Sequence, residues 1–149
     1  MTRLIVCDPI DDSAVAALRD LGLDVDVCDD ITPEALAEVI ADYDAMIVRS
    51  RTKVRESLID KASRLNLIVR AGVGLDNIDV GYAERRGVTV ANTPAASTNA
   101  VAELTLGLML SLARHIPRAD ATMKAGEWAK KQLKGTELQG KTLGVIGYG

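Results

Sequence analysis

The chain of 149 residues has no phenylalanine, one tryptophan and three tyrosines, so aromatic packing cannot build its interior. The core is left to Val, Ile, Leu and Ala, residues that suit parallel strands buried on both faces. There are two cysteines, Cys7 and Cys28, too far apart for a CxxC pair, and the single histidine, His115, is near neither. That spacing excludes a redox motif and a zinc site. Both thiols sit in apolar runs and are expected to be reduced and buried. The longest apolar helical stretch, around Leu104 to Ala113, is too short to span a bilayer, and the N-terminus lacks the basic-then-apolar pattern of a leader. The chain is expected to be cytoplasmic, with no membrane partner.

What is present is 48% apolar, enough to make disorder an unsuitable description. Net charge is −3, unevenly spread: the first 45 residues hold twelve acidic and two basic side chains, and the rest hold nine acidic and sixteen basic. The basic half suits a small anion. Its cations are scattered among apolar strands without neighbouring aromatics, which argues against nucleic acid.

Short apolar runs alternate with helical patterns. Strands are predicted at residues 4–7, 24–28, 45–48, 67–69 and 88–91. Between them, Asp11, Asp12 or Ser13 caps a first helix ended by Gly22, and Thr32 caps a second that opens on Pro33. Further helices are predicted at 55–62 and 80–86. Five strands with helical crossovers give an α/β, flavodoxin-like parallel sheet with helices on both faces. The expected order is 2-1-3-4-5, because the acid-rich second strand belongs at an edge. A long helix over 100–114, capped by Thr98 or Asn99, is apolar around most of its circumference, interrupted by Glu103. Pro117 kinks or ends it, and a helical stretch runs towards Lys124. A sixth strand, 141–146, leads into Gly147-Tyr148-Gly149.

Three strand ends carry candidate chemistry: Arg49-Ser50-Arg51-Thr52, Arg70-Ala71-Gly72-Val73-Gly74 and Asn92-Thr93-Pro94. Ligands of open parallel sheets bind beyond the carboxyl ends of the strands, and strands three and four are neighbours in the expected order. Arg49 and Arg70 therefore emerge together, two guanidiniums suited to a carboxylate or phosphate. Gly72 and Gly74 bracket Val73 in a turn that lets backbone N–H groups approach an anion. The other reading is a tight turn with surface arginines held in ion pairs. Gly147 and Gly149 form half of a GxGxxG dinucleotide fingerprint, incomplete without a third glycine and a following helix. His115 reads as a residue at a helix C-terminus rather than a proton donor.

Read together, the segments 48–53, 70–79, 92–94, 101–104, 113–117 and 140–149 resemble D-2-hydroxyacid dehydrogenases across essentially the whole chain. The resemblance implies that residues 1–95 are a substrate-binding, flavodoxin-like domain. It implies that 96–149 hold a crossover helix, a dimerisation arm around Trp128 and the truncated start of an NAD-binding domain. By the same resemblance Arg49, Ser50 and Arg70 hold the substrate's phosphate or other polar groups. The backbone of Gly72, Val73 and Gly74 holds its carboxylate, with Val73 also near the nicotinamide, and Gly147 and Gly149 fall on the pyrophosphate loop. The family's catalytic arginine, acid and histidine correspond to positions beyond residue 149. This stretch is thus expected to be inactive and to bind no NAD alone, NAD being the cofactor of the intact enzyme. The helix 100–114 is expected to fold back on the sheet or to swap between two copies in a homodimer.

The alternatives are a stand-alone flavodoxin-like binding module and an excised domain without activity. A phosphoacceptor module would place Asp where Arg49 stands. An FMN binder would want a Ser/Thr- and Gly-rich loop where Asp8-Pro9-Ile10-Asp11-Asp12 is expected to repel phosphate.

Overall fold

A computed structural model describes residues 1–147. They divide into two compact units, Met1–Ser97 and Thr98–Gly149.

The first unit alternates strands and helices in the order β1 (Arg3–Val6), α1 (Asp12–Asp20), β2 (Asp24–Val27), α2 (Pro33–Val39), β3 (Ala45–Val48), α3 (Glu56–Ile59), β4 (Leu67–Arg70), α4 (Val80–Arg85) and β5 (Thr89–Asn92), with a 3-10 turn at Ile40–Asp42. The five strands form one parallel sheet ordered β2-β1-β3-β4-β5, the flavodoxin-like order expected from sequence. The acid-rich β2 takes the edge, where Arg3 pairs with Asp24 and Asp26.

Alternation along the central strands feeds two cores. Ile5, Cys7, Met46, Val48 and Ile68 face one way and pack with Leu36, Ile40, Leu58 and Ile59 from the 33–42 and 56–59 helical segments. Leu4, Val6, Ala45 and Ile47 face the other way and pack with Val15 of α1 and Val25 of β2. Each of the Val, Ile, Leu and Met side chains contributes about 1.5–3 kcal/mol on burial, which keeps β1 and β3 in the interior of the sheet. Cys7 is buried and Cys28 half-buried, so the expectation of two fully buried thiols holds for Cys7 alone.

Capping follows the sequence signals at the first two helices, whereas the helix predicted over 100–114 begins at Thr98, so Thr98 and Asn99 lie within it and neither is its cap. The Asp11 side chain accepts from the Ser13 amide at the start of α1, and Thr32 accepts from the Ala35 amide at the start of α2. The third helix is shorter than the predicted 55–62, spanning four residues before a run of turns.

In the second unit, α5 (Thr98–Arg114) and α6 (Ile116–Lys124) are joined by His115, which adopts a left-handed conformation with φ 54°. The break thus falls at His115, two residues before Pro117, which occupies the first turn of α6 where a missing N–H leaves no bond unmade. Gly135 packs against the end of α5: a Cβ there would lie 2.5 Å from the Ala113 carbonyl oxygen. No residue of α5 is buried. The predicted sixth strand is not found, since residues 141–146 have no regular structure. An apolar run becomes a strand only when a neighbour accepts its ladder of hydrogen bonds, and no described strand pairs with this one.

Candidate functional site

The carboxyl ends of β1, β3, β4 and β5 meet around a cavity of about 650 Å³. Val48 of β3 is in register with Arg70 of β4, and Arg49 follows Val48 directly. Arg49, Ser50, Arg70, Gly72, Val73 and Gly74 all line this one cavity, with Thr93 from the end of β5 and Asp11 from the start of α1. Neither Arg49 nor Arg70 forms an ion pair among the described residues, so the reading of ion-paired surface arginines does not describe them. Arg49 Nη1 donates to the Pro9 carbonyl at 3.2 Å, and the buried Nε of Arg70 has no partner.

The glycine turn is built around Arg70. Gly72 has φ +152°, and a Cβ on it would overlap Arg70 Nη1 and lie 2.5 Å from Cζ. The missing side chain is therefore the space the guanidinium fills. The turn is clamped from β5: the Thr93 amide donates to the Gly72 carbonyl at 3.0 Å, and Asn92 Nδ2 donates to the Val73 carbonyl at 2.7 Å. With these carbonyls held, the amides of Val73 and Gly74 donate to no other described residue and remain available to an anion.

Two residues that the sequence reading did not assign to the site hold the loop after β3. Asp8, 1% exposed at the end of β1, accepts from the Arg49 amide at 2.5 Å, from Arg51 Nε at 2.9 Å and from the Thr52 hydroxyl at 2.9 Å. Burial pushes its carboxyl up, but the hydrogen bonds from Arg49, Arg51 and Thr52 outweigh that and hold it below the ordinary carboxylate value. Asp8 is thus a paired anion facing the loop. Asn77, also buried, donates through Nδ2 to the carbonyls of Arg49 at 2.8 Å and Thr52 at 2.7 Å. The visible signal for Asp8 was its place at the end of β1, beside β3 in the expected order. For Asn77 it was an amide within an otherwise apolar and acidic stretch. Arg51, grouped with the site by sequence, turns away: it bonds Asp8 and the Cys7 carbonyl and lines a different cavity.

Of the two glycines of the dinucleotide fingerprint, only Gly147 falls within the described residues. Gly147 has φ +82°, a conformation glycine favours, and no atom would meet a Cβ there. The strand–turn–helix that presents a pyrophosphate to a helix N-terminus is absent from residues 141–147, and Gly149 lies outside the described residues. His115 lies between α5 and α6, and it lines none of the cavities around the arginines.

Residues 4–143 match the family described as D-isomer specific 2-hydroxyacid dehydrogenase, catalytic domain. The chain is 52% identical over its full length to D-3-phosphoglycerate dehydrogenase of Methanocaldococcus jannaschii, of which it covers 28%. It is 47% identical over 99% of its length to hydroxypyruvate reductase of Thermotoga maritima, of which it covers 48%. Among solved structures, the TT0316 protein of Thermus thermophilus superposes with a TM-score of 0.84 at 30% identity, covering 93% of this chain and 46% of that one. The NAD⁺-bound 3-phosphoglycerate dehydrogenase of Entamoeba histolytica gives 0.67 at 34% identity, covering 76% and 39%. The chain thus spans less than half the length of these relatives. A sheet of this order and a match over residues 4–143 together place the chain in the D-isomer specific 2-hydroxyacid dehydrogenase family.

Proposed function

We propose that this chain is the substrate-binding portion of a 3-phosphoglycerate dehydrogenase that uses NAD when whole. The observation that carries the reading is the shared cavity of Arg49, Arg70 and the Gly72–Gly74 turn. A phosphoglycerate carries two anionic ends. The free amides of Val73 and Gly74 suit its carboxylate, and the guanidiniums of Arg49 and Arg70, with the Ser50 hydroxyl, suit its phosphate. Charged hydrogen bonds of this kind contribute about 1.5–3 kcal/mol each. Phosphoglycerate dehydrogenases among the relatives support this substrate over an unphosphorylated hydroxyacid.

These residues bind and orient. None of them is placed to transfer a proton to a carbonyl, so this stretch holds the substrate without turning it over. The exposed leucines of α5, Leu104, Leu106, Leu108, Leu110 and Leu112, suit pairing with the same helix of a second copy, as apolar patches of this kind favour association.

Calorimetric titration with 3-phosphoglycerate, glycerate and D-lactate tests the reading. Saturable heat with 3-phosphoglycerate, at least about tenfold tighter than with the others, is expected. Equal affinities would remove the phosphate from the account, and no heat with any of them would refute it. Incubation with NAD⁺ and 3-phosphoglycerate is expected to yield no NADH, and sedimentation is expected to show a dimer.

A further inference from the structure

A second cavity, of about 520 Å³, lies between the segment 30–37 and the segment 51–61 and shares no lining residue with the first. Its apolar wall includes Ile31, Leu36, Ala37 and Leu58, and its size falls within the range of small-molecule sites. Its charged lining is lopsided: Arg51, Lys53, Arg55 and Lys61 against a single acid, Asp30. Two of these cations are already matched, Arg51 by Asp8 and Arg55 by Asp79. Lys53 and Lys61 form no ion pair among the described residues. An apolar wall beside two ammonium groups without ion-pair partners, in a lining of four cations and one acid, is complementary to one kind of small molecule, an anion attached to an apolar body. Phosphate alone would leave the apolar wall wet, and a neutral apolar molecule would leave the lysines unmatched.

We infer that this cavity is a second ligand site, taking a small organic carboxylate whose chain lies over Leu36, Ala37 and Leu58 and whose head faces Lys53 and Lys61. The site is independent of the 3-phosphoglycerate reading, because neither its walls nor its charges belong to the Arg49–Arg70 cavity.

Amide-resolved NMR titration of the chain with octanoate tests it, with octylammonium reversing the charge and acetate removing the chain. Octanoate is expected to give saturable shifts at Ala37, Lys53, Ser57 and Lys61, and the two controls none. The double variant Lys53→Glu/Lys61→Glu is expected to weaken binding by about tenfold or more, as is Ala37→Trp, which fills the cavity while leaving the charges in place. Arg49→Ala/Arg70→Ala is expected to leave octanoate binding unchanged, which separates this site from the other. The inference is overturned by an absence of saturable shifts at those residues, by shifts confined to 98–114, by equal binding of octylammonium, or by affinity unaltered in both variants with native amide dispersion.

Discussion

The carboxylate of Asp8 and the backbone amide of Arg49 lie 2.5 Å apart although 41 residues separate them in the chain. This contact joins the ends of two neighbouring interior strands, β1 and β3. It fixes where the loop after β3 begins, and so where the Arg49 side chain leaves the sheet. Asn77 completes the arrangement from the other side by donating to the Arg49 and Thr52 carbonyls.

Removing that carboxylate strands several donors at once. Asp8→Ala is expected to lower stability by about 3 kcal/mol, since a buried charge with charged and neutral partners is lost and Arg51 recovers only partly by exposure to water. Chemical denaturation measures this; a loss within error of zero would show that the loop is held by other means.

The pH dependence has a definite sign. The Asp8 carboxyl titrates below its ordinary value in the folded chain, because the hydrogen bonds from Arg49, Arg51 and Thr52 outweigh the opposing effect of burial. Its stabilising contribution is therefore fully present above the unfolded value of about 3.9 and is lost as pH falls through the depressed folded value. Thermal melts taken downward from about pH 6 are expected to fall more steeply in the parent chain than in Asp8→Asn. Parallel curves would exclude Asp8 as a source of the acid sensitivity.

Gly72 is required by Arg70 rather than by the turn alone. Gly72→Ala introduces a methyl group where the guanidinium sits and places an L side chain at φ +152°. A loss of about 1–3 kcal/mol is expected from the backbone. A larger proportional loss of 3-phosphoglycerate affinity is also expected, because the displaced Arg70 leaves the cavity lining. Calorimetry beside denaturation separates the two, and unchanged affinity would mean that Arg70 does not hold the ligand.

Gly135 makes the corresponding prediction for the second unit. A methyl group there meets the Ala113 carbonyl and the Arg114 Cα, which are backbone and cannot rotate away. Gly135→Ala is expected to cost about 1–3 kcal/mol locally. Hydrogen exchange should show early loss of the Thr136 amide, which donates to Ala113 at 2.8 Å, with protection in residues 1–97 unchanged. Retained protection at Thr136 would contradict the packing.

The parts of this architecture that sequence made legible are those governed by local rules. Val- and Ile-rich runs marked β1, β3 and β4, the Asp24–Val27 alternation marked an edge strand, and Asp11 and Thr32 marked two helix starts. The convergence of Arg49 and Arg70 followed from strand order, because neighbouring parallel strands deliver their ends to one place. What stayed hidden depends on distant contacts. Asp8 looked like one more acid in an acidic stretch, and only the fold supplies Arg51 and Thr52 to it. The run at 141–146 had a strand's composition without a described neighbour to pair with. Arg51, in the same strand-end segment as Arg49, bonds Asp8 and lines a different cavity, which only the path of the loop decides.

The central claim is that Arg49 and Arg70 together hold an anion at the ends of β3 and β4. Titration of 3-phosphoglycerate into Arg49→Ala/Arg70→Ala, with the fold verified by an unchanged far-ultraviolet spectrum and melting curve, tests it most directly. The account predicts that the binding heat of the parent chain disappears. Binding retained at the parent affinity in a folded double variant would contradict it.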